Sequence, residues 1–231
     1  MLIRSLFLAT CLVAAPAAAQ QASFDCAKAK TPREKAICQG NHTAELDRAM
    51  DELYRAALDR AGDHRGDKGE PREAVVAAQK KWLATLDARC GRAKPDLACI
   101  ERLYKQRIAG LARVARGTSG AFISGSYAYR EKAQAGEMFL AEMPDGTTLV
   151  LVETVNVGHI SPHTCSLMDR VKERHGEILR YRDAEVSKTC ALEITVTGNR
   201  AVMREAPKDC FEVARHFCGA HGYMLGTYVK R

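Results

Sequence analysis

Between Ala44 and Ala61 the chain reads AELDRAMDELYRAALDRA, and its apolar side chains return every three or four residues at Leu46, Met50, Leu53, Tyr54, Ala57 and Leu58. That is the period of a helix with one buried face. A polar, glycine-bearing stretch, GDHRGDKGEP, breaks the pattern, and Pro71 then opens a second long helix through Val75, Ala78, Trp82, Leu86 and Arg89. Trp82 is expected to anchor the core. After Gly91 to Pro95 a third helix carries Leu97, Ile100, Leu103, Tyr104, Ile108 and Leu111, and it fades at Arg116 and Gly117. A shorter helix precedes all three: in TPREKAIC, Thr31 to Cys38, Thr31 can cap, Pro32 fits the first turn and Glu34 can reach back to the cap. About two turns are too few to be stable alone, so something must hold this helix, and Cys38 is the candidate.

Beyond Gly117 the period changes to that of strands. Alternating or apolar runs occur at Phe122 to Tyr129, Glu137 to Met143, Thr147 to Val157, Glu177 to Arg182, Ala191 to Thr197 and Ala201 to Glu205, with turn signals such as Pro144-Asp145-Gly146 between them. A short helix from Cys210 to Phe217 and a last strand from Tyr223 to Lys230 follow. Gly125-Ser126-Tyr127 and Gly226-Thr227-Tyr228 repeat one pattern in the first and last strands, as neighbours at a barrel seam would. The fold class predicted is α+β: a small disulfide-linked helical bundle over 20–117, then an antiparallel β-barrel or sandwich over 118–231.

Residues 1–19 combine Arg4, an apolar run from Leu6 to Ala15 and the small residues Ala17 to Ala19. This reads as a secretory signal peptide cleaved near Ala19, which places the protein in the periplasm or outside the cell. The alternative, a lipoprotein box at Leu8 to Cys11, has an unusual threonine before its cysteine. No later apolar run is long enough to span a bilayer. Removing Cys11 leaves Cys26, Cys38, Cys90, Cys99, Cys165, Cys190, Cys210 and Cys218, an even set that reads as disulfides in an exported chain. Four cysteines in the helical half allow three connectivities. Antiparallel helices would favour the nested one, Cys38 with Cys90 and Cys26 with Cys99. A zinc site at Cys210, His216, Cys218 and His221 is the weaker reading, since no CxxC pair is present.

The formal net charge is +7, and the surplus lies before residue 117. Signs alternate along helical faces, which describes a solvated surface, and the chain lacks the aromatic stripes of a nucleic-acid binder. Anionic envelope polymers remain compatible partners.

The segments CAKAKTPREKAIC, LDRAMDELYRAAL, AQKKWLATLDARC and CIERLYKQRIAGL together resemble the N-terminal domain of the LprI-type lysozyme-inhibitor family, over about Phe24 to Val114. The resemblance implies an exported bacterial protein, and for at least one member, lysozyme inhibition. The second half resembles small cysteine-containing β-domains that follow such helical modules. Membrane-bound inhibitors of c-type lysozyme, also small disulfide-linked barrels, use a Ser-Gly-x-x-Tyr loop. Ser124-Gly125-Ser126-Tyr127 is one residue short of it, which makes Ser124 and Tyr127 the candidate binding residues.

Catalytic signatures are absent: there is no GxSxG, HExxH, P-loop or dinucleotide fingerprint. His159, Ser161 and His163 read as a polar turn, and Asp47, Asp51 and Glu52 as exposed helix-surface ion pairs. The chain is therefore expected to be a non-enzymatic binding protein with no cofactor or metal. A lysozyme-like glycoside hydrolase is the expected partner. The alternative is an envelope adaptor that binds peptidoglycan, anionic polysaccharide or another envelope protein without inhibition.

Overall fold

The computed structural model describes residues 22–62, 71–117, 121–157, 162–208, 210–219 and 221–231. The proposed signal peptide and most of the loop after α2 lie outside them. Four helices come first: α1 (Pro32–Gln39), α2 (Thr43–Gly62), α3 (Arg72–Cys90) and α4 (Leu97–Arg116). Nine strands follow: β1 (Gly125–Glu131), β2 (Gln134–Glu142), β3 (Thr148–Asn156), β4 (His163–Val171), β5 (Glu173–His175), β6 (Ile178–Tyr181), β7 (Ala191–Thr197), β8 (Arg200–Ala206) and β9 (Gly226–Lys230). A short helix, α5 (Glu212–His216), precedes β9. The fold is α+β.

The capping box forms as the residues demand. The Glu34 amide donates to Thr31 Oγ1 at 3.2 Å, and Glu34 Oε2 accepts from the Thr31 and Lys30 amides, each at 2.8 Å. What holds α1 is not the nested pairing, which the structure corrects. Cys26 is bonded to Cys38 and Cys90 to Cys99, across sequence separations of 12 and 9. The physical reason is local. A one-turn 3-10 helix at Cys26–Lys28 folds back beside α1, and the link from α3 to α4 is tight, with the Asp96 amide donating to the Cys90 carbonyl at 2.8 Å and Gly91 at φ 83°. Each small ring contributes about 3 kcal/mol by loop entropy. α1 is joined to the other helices by Ile37, by the Thr43 hydroxyl on the Ile37 carbonyl (2.7 Å) and by an Arg33–Asp87 ion pair.

The strands form one antiparallel sheet in the order β4-β3-β2-β1-β9-β8-β7-β6-β5. β4 and β5, its two ends, are joined through Lys172 alone, so the sheet curls into a nearly closed barrel around Tyr127, Met138, Leu140, Val152, Leu167, Leu192, Ile194, Met203 and Tyr228. α5 adds Val213 to this core. The repeated glycine–tyrosine strands do pair, with Tyr127 opposite Lys230 and Ala128 opposite Val229, but they lie mid-sheet and not at the opening. Both tyrosines make the same corner: Tyr127 OH donates to the Ile123 carbonyl (2.6 Å) and Tyr228 OH to the Met224 carbonyl (2.5 Å). Gly125 and Gly226 precede them at φ 140° and 143°, values that a side chain would strain.

β4 falls between the predicted strand runs and is the main strand missed. Its inward positions Cys165, Leu167 and Val171 are interrupted by Asp169 on the same face and alternate with Thr164, Ser166 and Arg170, so polar and charged residues dilute the strand signal. The second pair of disulfides, Cys165–Cys218 and Cys190–Cys210, ties β4 and the β6–β7 connection to the α5 region.

The helices pack on the outside of the barrel. On β2 and β3, Met138, Leu140, Val150 and Val152 face the barrel interior, while Phe139, Ala141, Leu149 and Leu151 share a core with α2 and α4. The boundary near Gly117 separates helix from strand without separating the cores.

Tyr127→Phe and Tyr228→Phe should each cost about 1 to 2 kcal/mol, because each leaves a buried carbonyl without its donor. Urea unfolding of the oxidised protein measures this; a loss for only one of them would show that the corners are not equivalent.

Candidate functional site

Ser124 and Tyr127 are 1% and 0% exposed. The Ser124 hydroxyl accepts from the Glu142 amide at 2.9 Å, and Tyr127 makes its corner, so neither presents a side chain to a partner. Burial and Glu142 push the Tyr127 phenol up to about 12, and it therefore stays a donor. His159 and Ser161 lie outside the described residues; His163 opens β4 and meets the His221 ring edge-on at 5.3 Å. Asp51 pairs with Arg55 one turn along α2, as a surface charge does, whereas Glu52 is clasped by Arg170 of β4. Asp47 is buried, and accepts from Tyr104 OH at 2.7 Å and the Ser23 amide at 2.8 Å. Cys210 and Cys218 are committed to disulfides, which removes two ligands from the zinc reading.

The seam between helices and barrel gathers charge that the sequence scattered. Lys105 on α4 reaches Glu101 at 2.6 Å, Glu137 on β2 at 3.0 Å and Glu153 on β3 at 3.6 Å. Burial alone would depress the ammonium, but Glu101 and Glu137 outweigh it and raise its pKa. His42 closes the group, with Nδ1 3.5 Å from Glu153 and 4.0 Å from Glu101, and Nε2 3.1 Å from the Ser166 hydroxyl. His42, Glu101 and Glu153 have ligand atoms within 4.8 Å of one another, a spacing open to a metal ion, yet Lys105 already pairs with both carboxylates. Burial holds His42 below its usual pKa, Glu101 pulling the other way and Lys105 adding to the depression. Burial, then Glu101, holds Glu153 above the usual carboxylate range. On the far end of the seam Arg170 clasps Glu52 with two bonds (2.8 and 3.0 Å) and Glu45 at 2.9 Å, joining β4 to α2.

Beside this network, between α4 and the β1–β9 pair, opens a cleft of about 510 Å³ with Arg102, Lys105, Arg113, Lys230 and Arg231 on its walls and Phe122 at its floor. Lys105 and Arg231 are neutralised there by Glu137. Arg113 and Lys230 share one aromatic ring instead: the guanidinium sits 4.5 Å and the ammonium 5.2 Å from the Phe122 centroid. Lys230 also donates to the Phe122 carbonyl at 3.1 Å and lies 5.4 Å from the Tyr127 ring. A side chain at Gly125 would come within 3.0 Å of the Lys230 stem. Burial and then Arg113 lower the Lys230 pKa, with Glu142 opposing. Glu142 is itself held by Arg116 at 2.6 Å and Arg174 at 2.8 Å. Among the described residues, Arg102, Arg113 and Lys230 have no carboxylate within ion-pair distance. Sequence reasoning found the positive surplus of the first half but not this meeting, because Lys230 and Phe122 come from the neutral half.

With the helices, the seam and the cleft in view, the comparison with protein families is decisive for one half. The family model of the lysozyme inhibitor LprI matches residues 26–111. The helical half is thus similar to the LprI family over those residues. Neither the curated proteins nor the solved structures contain a match to the chain. The LprI match takes in Arg102 and Lys105 and ends before Arg113, Phe122 and Lys230. The cleft is thus composite, one wall from the LprI-type helices and the rest from the end of α4 and the barrel.

Lys105→Met should destabilise the protein by about 3 kcal/mol in chemical unfolding, since Glu101 and Glu153 would lose their shared cation and Glu137 would keep Arg231 alone. His42 and Glu153 shape the acid side of the stability curve in opposite senses. His42 favours the folded state above its unfolded pKa of 6.5, and that contribution is lost as pH falls through the lower folded value. Glu153 contributes fully below 4.5 and loses it as pH rises through its higher folded value. Chemical unfolding between pH 7 and 5 should therefore show His42→Gln with a flatter decline, or a steeper rise, on acidification than wild type; an unchanged slope would refute the assignment.

Proposed function

We propose that the protein is an exported, non-catalytic binding protein that inhibits a lysozyme-like muramidase. The match of residues 26–111 to the LprI lysozyme-inhibitor family carries the reading. The four disulfides support an oxidising, extracytoplasmic compartment. Among the described residues no helix is long and apolar enough to cross a membrane, and residues 1–19 supply the composition of an export signal. Inhibition of this kind needs a surface that fills or covers an enzyme's cleft and no reacting group.

The positive surplus favours a second reading, an envelope adaptor that holds anionic polysaccharide without inhibiting anything. Salt separates the two. A c-type lysozyme is itself strongly basic, so long-range repulsion slows its encounter with a chain of formal charge +7 and added salt should speed association. Binding to an anionic polymer should weaken with salt.

The oxidised chain from Gln20 onward, titrated against c-type, g-type and invertebrate-type lysozymes, should inhibit at least one of them at about one-to-one stoichiometry. Folded, fully disulfide-bonded protein that inhibits none, and that binds polysaccharide with strong salt dependence, would replace this reading with the adaptor.

A further inference from the structure

The cleft between α4 and β1–β9 holds cations that meet no carboxylate among the described residues. Elsewhere along the seam each cation has a carboxylate: Lys105 has three within 3.6 Å, Arg170 is bidentate on Glu52, and Arg116 meets Glu142. In the cleft two cations crowd one phenyl ring and a third, Arg102, stands at the rim with no partner among the described residues. The arrangement is built into the backbone, because Lys230 is fixed by the Phe122 carbonyl and needs a glycine at 125 to lie where it does. Like charges held this close are relieved by an anion between them. The remaining question is what carries that anion.

We propose that this cleft is a carboxylate-binding subsite, and that its ligand is an acidic side chain, Asp or Glu, presented by the protein partner. This rests on the reading of the chain as a protein inhibitor and names the chemistry of its contact. Two observations favour an acidic side chain over an acidic sugar. Sugar rings are held by a free aromatic face, and the Phe122 ring is occupied by Arg113 and Lys230. Of the other polar groups on its walls, Ser124 is taken by the Glu142 amide and Glu137 by Lys105 and Arg231, which leaves Gln106 and Ser126 to read hydroxyls. A carboxylate on a short stem needs only the paired cations, and a guanidinium beside an ammonium offers it donors from two directions.

The test uses the full oxidised chain in four forms: wild type, Arg113→Glu, Lys230→Met and, as a control remote from the cleft, Lys188→Glu on the β6–β7 connection. Near-ultraviolet circular dichroism establishes that each is folded. Lys230→Met keeps the stem over Phe122 while removing the charge, and Arg113→Gln stands in if the charge reversal fails to fold. If the wild type inhibits a lysozyme, loss of inhibition by tenfold or more in Arg113→Glu and Lys230→Met, with Lys188→Glu unchanged, upholds the proposal. Inhibition by both variants at the wild-type level overturns it and leaves the inhibitor reading standing. If no lysozyme is inhibited, that reading has failed, and the cleft is decided by titration with two probes, a short poly-L-glutamate and a uronate-containing oligosaccharide. Saturable binding of poly-L-glutamate that both variants abolish upholds the subsite. Binding of the oligosaccharide alone, or of neither probe, overturns it.

Discussion

The fold depends on two strands that are buried on both faces. β2 and β3 turn Met138, Leu140, Val150 and Val152 into the barrel and Phe139, Ala141, Leu149 and Leu151 toward the helices. Register makes this possible, since Leu140 pairs with Val150 and Phe139 with Leu151, so each face is a continuous apolar layer. At roughly 1.5 to 3 kcal/mol for each large side chain removed from water, the outer layer alone outweighs either small disulfide ring of the helical half. The apolar face of the helical region is therefore completed by the barrel that follows it.

Charge follows from that geometry. Packing a helix face against a sheet buries the charged residues flanking the contact, and those that face one another across it become partners: Lys105 with Glu137 and Glu153, Arg170 with Glu45 and Glu52, Arg116 with Glu142. These pairs fix the angle at which the helices meet the barrel more than they add stability, because desolvation offsets much of their attraction. Where β1 and β9 rise beside α4, the cations outnumber the carboxylates, with Glu137 already shared between Lys105 and Arg231. The cationic cleft is the unpaired remainder of an otherwise matched interface.

Much of the fold was legible in the sequence because its signals are local. Three- and four-residue spacing marked α2, α3 and α4, and the capping box of α1 formed with the hydrogen bonds its residues advertise. The glycine–tyrosine repeat announced that β1 and β9 are neighbours. What failed depended on contacts between distant segments. The nested disulfides assumed that helix ends meet across the bundle, whereas the turns at Cys26 and Gly91 close each bridge within its own connection. β4 was hidden by charge on both of its faces, Asp169 among the inward positions and Arg170 on the outer face, where it serves α2. Asp47 looked like a surface charge on a helical wheel, and only Tyr104, fifty-seven residues away, shows why it is buried. The candidate site was the least legible part: Ser124 and Tyr127 matched a loop motif by type, but their side chains turn inward, and the cleft joins residues 113, 122 and 230 that no short motif could connect.

The opening of the barrel carries a last consequence. A sheet that stops short of closure exposes two rows of unpaired amides and carbonyls, each a template for another chain. β5 deals with this by being three residues long, charged and wholly exposed. β4 is nine residues long and has a different guard: the Ser166 amide donates to the Phe217 carbonyl and the Gly219 amide to the Thr164 carbonyl, both at 2.9 Å, and the Cys165–Cys218 bond pins that segment in place. That disulfide thus acts as a latch on a strand edge as well as a staple of the core. Cutting it chemically would free the segment to peel away and turn β4 into an adhesive border, so that self-association, before unfolding, would be the first sign of a reducing environment.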